Sequence, residues 1–165
     1  MARKVTIVET RLVSDQFAVT RREVSGGHRH VTRRTPCEEC PWKVESPIGA
    51  FPAEAYRASA PTSYDAAMST FACHMAGADA PATCAGFLSR HGQNNLGVRL
   101  SLSQDRIDLS RVSDGGHELY DSYREMAIAN GVDPDDPVLG PVRADHFNHF
   151  DRETGHWSYV EKKET

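Results

Sequence analysis

Four cysteines, Cys37, Cys40, Cys73 and Cys84, limit what this chain can fold into more than any other residues do. Cys37 and Cys40 form a C-x2-C pair, a spacing that lets two thiolates face one ion across a tight turn. Thirty-two residues separate Cys40 from Cys73, and ten separate Cys73 from Cys84. Four thiolates make up the full ligand set of a tetrahedral structural zinc site, and this assignment uses every cysteine in the chain. The second pair departs from the common ribbon spacing of two C-x2-C units. An iron–sulfur cluster takes the same four ligands. Four buried or redox-active thiols, or a structural disulfide, are further readings that the spacing leaves open.

The 165 residues suit one domain with tails, and at 39% hydrophobic content the core is small. Structural zinc adds on the order of 10 kcal/mol of folding free energy, so a metal would matter in such a chain. No apolar run reaches the ~20 residues of a membrane span. The start, MARKVTIVETRLV, lacks the apolar centre and cleavage site of a signal peptide. These features point to a cytoplasmic protein without a membrane partner, where thiols stay reduced.

The element pattern predicts an α+β fold, a small zinc-knuckle domain with an N-terminal β-hairpin and three to four short helices. Residues 4–13 and 16–24 are rich in Val, Ile and Thr and partly alternate apolar with polar, with Ser14-Asp15 between them as the turn. Helices are expected over 53–60, ending before Pro61, and over 84–91, ending at Gly92. A third is expected over 94–104, with Leu96 and Leu100 on one face, and a fourth over 116–129. In the fourth, Leu119, Tyr120, Tyr123, Met126 and Ala127 recur at helical spacing and Asn130-Gly131 makes the stop. A short strand is expected near 156–160. The resulting division is a hairpin and basic loop (1–30), a cysteine domain (31–131) and a polar acidic tail (132–165).

The net charge of −4 gives no global attraction for nucleic acid, but the charge is uneven. Segment 21–34 holds five arginines (Arg21, Arg22, Arg29, Arg33 and Arg34) and one glutamate, whereas 133–165 holds eight acids and four bases. The arginines are candidate anion or nucleic-acid contacts beside the knuckle, or else a solvated face without the aromatic side chains that single strands stack on. Trp42 is a candidate cover for the sulfurs or an ordinary core residue. His74, next to Cys73, is a candidate neighbour of the ion rather than a ligand. His28 and His30 read as surface residues. His146, Asn148 and His149 spell a compressed H-x-N-H, which raises a His-Asn-His type nuclease as an alternative. No phosphate-binding loop, nucleophile elbow or H-E-x-x-H is present.

CEECPWK (37–43), GAFP (49–52), FACH (71–74), CAGFL (84–88), NNLGVRL (94–100) and LYDSYREMAIANG (119–131) together resemble an uncharacterised family of short phage and actinobacterial proteins. That family carries a CPW-[RK] … FACH … CAGFL cysteine pattern, and here Lys43 stands where Arg is common. The resemblance covers roughly residues 34–131. It implies metal binding by the cysteines and a phage or bacterial origin, and it implies no activity.

The expected function is therefore a non-enzymatic, zinc-stabilised interaction protein in a regulatory or counter-defence role. Its partner would be a host protein in the host cytoplasm, or nucleic acid through 21–34. An iron–sulfur or redox sensor and a nuclease are the alternatives.

Overall fold

The computed structural model describes residues 2–77, 79–142, 147–150 and 157–160, the last two stretches as strand backbone. The fold is α+β, with an N-terminal antiparallel hairpin and four helices. The hairpin joins β1 (Lys4–Leu12) to β2 (Ala18–Ser25) through a turn in which Ser14 Oγ accepts from the Gln16 and Phe17 amides. Val5 pairs with Val24, Ile7 with Arg22, Thr10 with Thr20 and Leu12 with Ala18, and the register shifts once, between Ile7 and Glu9. Most of the hairpin is exposed, including Ile7, Leu12 and Val24. It is tied to the body at a few points. Arg11 pairs with Glu54, Arg22 donates to Gly77 O at 3.0 Å, and the Phe17 ring meets Phe51 edge-on.

The helices are α1 (Ala53–Ser59), α2 (Ala85–His91), α3 (Leu96–Ser103) and α4 (Tyr123–Ala129). Pro52 precedes α1, and Pro61 falls in the 3-10 turn Ala60–Ser63 that follows it. Asn95 caps α3 and Ser122 caps α4, their side chains accepting from Val98 N and Glu125 N respectively. The expected helix over 116–129 is therefore shorter. Its first part is extended instead, because Val44 N donates to Glu118 O and Tyr120 N to Trp42 O, around a Lys43–Leu119 bridge. The face of α3 also differs from expectation: Val98 is buried and Leu100 is exposed.

The core gathers around Trp42, whose ring meets Phe71, Phe87 and Tyr123 edge-on at 6.2, 6.3 and 5.9 Å between centroids. Tyr123 is fully buried, and its hydroxyl donates to Tyr56 O at 2.6 Å. Val132, Leu139 and Val142 complete the same core, with Val142 bridged to Tyr64. A second hairpin, β3 (Phe147–Phe150) with β4 (Trp157–Val160), lies beside α2. No helix among the described residues is long and apolar enough to cross a membrane.

Candidate metal centre

Two local structures carry the cysteines. The first is the turn of the C-x2-C pair, closed by Cys40 N donating to Cys37 O at 3.1 Å and Lys43 N to Cys40 O at 3.0 Å. The second is a short three-segment ladder centred on Thr83, which pairs in parallel with Thr32 and antiparallel with Ala72. Cys73 N donates to Ala82 O at 2.8 Å and Cys84 N to Phe71 O at 2.9 Å, so the ladder fixes both remaining cysteines. Cys84 is also the N-cap of α2.

All four cysteines are free and buried, with exposures of 5% (Cys37), 0% (Cys40), 3% (Cys73) and 2% (Cys84). Cys40 Sγ and Cys84 Sγ are 3.6 Å apart. That is far beyond a disulfide's ~2.05 Å. It is close to the ~3.8 Å edge of a tetrahedron with Zn–S bonds of ~2.3 Å. The Cys37 thiol also influences those of Cys40 and Cys73. As placed, they form neighbouring pairs: among the described residues no three or more His, Cys, Asp or Glu side chains are grouped to hold a metal ion.

The surroundings of these thiols pull in two directions. The hydrogen bond with Cys40, then burial, push the Cys37 thiol up to about 12, against His74. At Cys40 the hydrogen bond with Cys37 and the Trp42 amide pull downward, but Cys84 and burial win and the thiol again rises to about 12. Burial and Cys37 raise Cys73, opposed by the Met75 amide and the Arg33 guanidinium. Without a cation, these surroundings favour the neutral thiol at Cys37, Cys40 and Cys73. A divalent ion inverts that balance, because a coordinated thiol is deprotonated outright. The Trp42 and Met75 amides each lie two residues after the cysteine they face, and they are donors suited to a thiolate.

The residues singled out around the cysteines fall into place unevenly. His74 Nδ1 lies 3.8 Å from Cys37 Sγ, and its Nε2 lies 3.9 Å from Glu39 Oε2. Trp42 is wholly buried and its Nε1 has no hydrogen-bond partner among the described residues, so it is a core residue first. Its backbone rather than its indole reaches a sulfur. Of the five arginines, Arg21 lies 3.9 Å from Glu9, Arg22 holds Gly77 O, and Arg29 lies 3.2 Å from Asp105. Arg33 and Arg34 are both exposed. His146 lies outside the described residues, and Asn148 and His149 fall on β3, described as backbone alone.

Sequence reasoning missed Asn95 and Gly86. Asn95 is wholly buried, and its Nδ2 donates to Thr62 O and Ser69 O at 3.1 and 2.8 Å while its Oδ1 caps α3. Its place just before the apolar Leu96 was the available sign of a cap. Gly86 lies against Trp42, which sequence spacing cannot reveal.

The chain belongs to a family of unknown function, DUF6283, whose model matches residues 32–143, from the Thr83 ladder past the last core residue. No curated protein and no solved structure is detectably similar to it. The donor set, four thiolates with amide donors already facing two of them, fits a structural zinc ion and also fits a thiolate-ligated cluster.

Proposed function

We propose that this chain is a non-enzymatic interaction protein, in which one zinc ion held by Cys37, Cys40, Cys73 and Cys84 fixes the body and a partner protein docks on its surface. One observation carries the reading: four cysteines from three stretches of chain are all free and all buried, with Cys40 Sγ and Cys84 Sγ 3.6 Å apart. Exposure of 5% or less at all four cysteines favours holding an ion over meeting a substrate.

The docking half of the reading is supported by the N-terminal hairpin. A two-stranded ribbon is marginal on its own in water, and this one exposes Ile7, Leu12 and Val24 with no third strand on either edge among the described residues. Such an edge is a template for pairing with another chain. A protein partner is favoured over nucleic acid because three of the five arginines are already engaged within the chain. With the phage or bacterial origin that the sequence resemblance implies, the partner would be a host protein and the role regulatory or counter-defensive.

Elemental analysis of chain purified without chelator tests the centre. One zinc per chain is expected, with a lower melting temperature after chelation. A brown solution absorbing near roughly 400 nm would replace zinc by a cluster. A metal-free chain with four titratable thiols would overturn the reading. Ile7→Lys with Leu12→Glu should abolish capture of a partner from host extract while zinc content holds.

A further inference from the structure

We propose that the loop 113–117 is a gate at the cysteine knuckle, latched by the His117–Glu45 pair, that sets how fast metal enters and leaves. The gate rests on the reading of the four cysteines as ligands of one zinc ion. With each cysteine at 5% exposure or less, an ion cannot reach or leave the sulfurs until some part of the body opens. Segment 113–120 ties down the knuckle on both sides. Before Cys37, Ser113 N donates to Arg34 O at 2.8 Å, and a Cβ at Gly115 would stand 3.3 Å from Thr35 Cβ. After Cys40, Tyr120 N donates to Trp42 O and Val44 N to Glu118 O, both at 3.0 Å. On that same side His117 Nδ1 lies 2.7 Å from Glu45 Oε1.

Within this segment, 113–117 is the part built to move. Val112 and Leu119 on either side of it are buried, whereas Asp114, Gly115 and Gly116 are exposed. Gly115 and Gly116 sit at φ of 68° and 82°, a region that glycine enters without steric cost. The loop keeps its own shape: Gly115 N donates to Ser113 Oγ, Gly116 N to Asp114 Oδ1 and His117 N to Asp114 O. It can therefore lift as a unit between two buried anchors, as lid loops do. Its side-chain fastening is His117 on Glu45, and Lys43 Nζ lies 3.4 Å from the same Glu45 oxygen. The hydrogen bond with His117 holds the Glu45 carboxyl below its usual range, against desolvation and with help from Lys43. Lys43 is itself buried and bridged to Leu119, so Glu45 keeps a partner on the knuckle side when His117 lets go. The closed and open loops thus differ by one side-chain latch and few backbone ties, which suits opening at low cost.

Zinc release from the full chain into excess chelator, read beside zinc uptake by the metal-free chain and affinity at equilibrium, tests the gate. An opening step is crossed in both directions, so His117→Ala and Glu45→Ala should each speed release and uptake together, by about 3- to 10-fold. Affinity should stay at the parent's value. The Ser113 amide should exchange its hydrogen faster in both variants. Glu118→Gln removes a neighbouring charge but keeps the carbonyl that accepts from Val44, and it should match the parent. Parental release rates in both alanine variants would overturn the gate. Faster release with weaker affinity and unchanged uptake would also overturn it, since the pair would then support the centre rather than guard it. Equal acceleration in Glu118→Gln would do the same, by showing a diffuse charge effect. A parent that binds no zinc would overturn the centre and the gate together, an outcome distinct from a parent that binds and variants that release alike.

Discussion

Gly86 is the space that Trp42 occupies: a Cβ at position 86 would stand 2.6 Å from Trp42 Cβ and 2.9 Å from its Cγ. Neither atom can swing away, because Trp42 is wholly buried among Phe71, Phe87 and Tyr123. Gly86→Ala gains about 1 kcal/mol of helix propensity in α2. It loses about 1–3 kcal/mol to overpacking. A lower urea midpoint is therefore expected, by up to about 2 kcal/mol. A midpoint equal to or above the parent's would show that α2 shifts freely against the knuckle.

Asn95 ties three segments with one side chain, capping α3 through Oδ1 and holding Thr62 O and Ser69 O through Nδ2. Asn95→Asp keeps the cap but turns a buried donor into an acceptor facing two carbonyls. The expected loss is about 3 kcal/mol or more at neutral pH. The penalty should shrink in acid, where a protonated carboxyl regains one donor. Chemical denaturation of the two proteins across pH 4–7 reads this directly, and a pH-independent difference would contradict it.

The N-terminal hairpin was legible because its Val, Ile and Thr residues alternate locally, and so were the ends of α2 and α4 at Gly92 and Asn130. The start of α4 was not. Leu119 and Tyr120 fit helical spacing, but their partners are Lys43 and Trp42, more than 70 residues earlier. Ser122, with Glu125 three residues on, was the local sign of the true start. Val132, Leu139 and Val142 were hidden for a different reason. They are too sparse among Pro and Asp to show a period, yet all three are buried. At the centre, the cysteine positions could be read from spacing. The role of Gly86 could not, since it packs against Trp42, more than 40 positions earlier.

The Arg57–Asp136 pair links α1 to the turn Pro137–Leu139, with Arg57 Nε 2.7 Å from Asp136 Oδ2. The hydrogen bond from Arg57, then that from the Val138 amide, hold the Asp136 carboxyl below the usual range. A carboxyl depressed in the folded state contributes stability above its unfolded value of about 4 and loses it as pH falls through the folded value. Asp136→Asn should therefore be less stable than the parent at pH 7, and the two should converge as pH falls below the folded value. Melting temperatures across that range give the comparison. A constant gap would mean that the pair acts by shape rather than charge.

Cys84→Ser separates a metal ligand from a merely buried thiol by the sign of its effect. Cys84 is the N-cap of α2, and its side chain makes no capping bond. Serine is among the best N-cap residues, and a good cap is worth about 1 kcal/mol. If the sulfur only fills space, Cys84→Ser should be neutral or stabilising, because the hydroxyl finds an amide to accept from. If it holds zinc, the loaded protein loses one of four ligands. Structural zinc carries on the order of 10 kcal/mol, so a loss of several kcal/mol is expected. The comparison is made twice, with zinc and with chelator. A large loss in zinc that disappears in chelator supports a metal ligand, and the same small change in both conditions would assign Cys84 to the core alone.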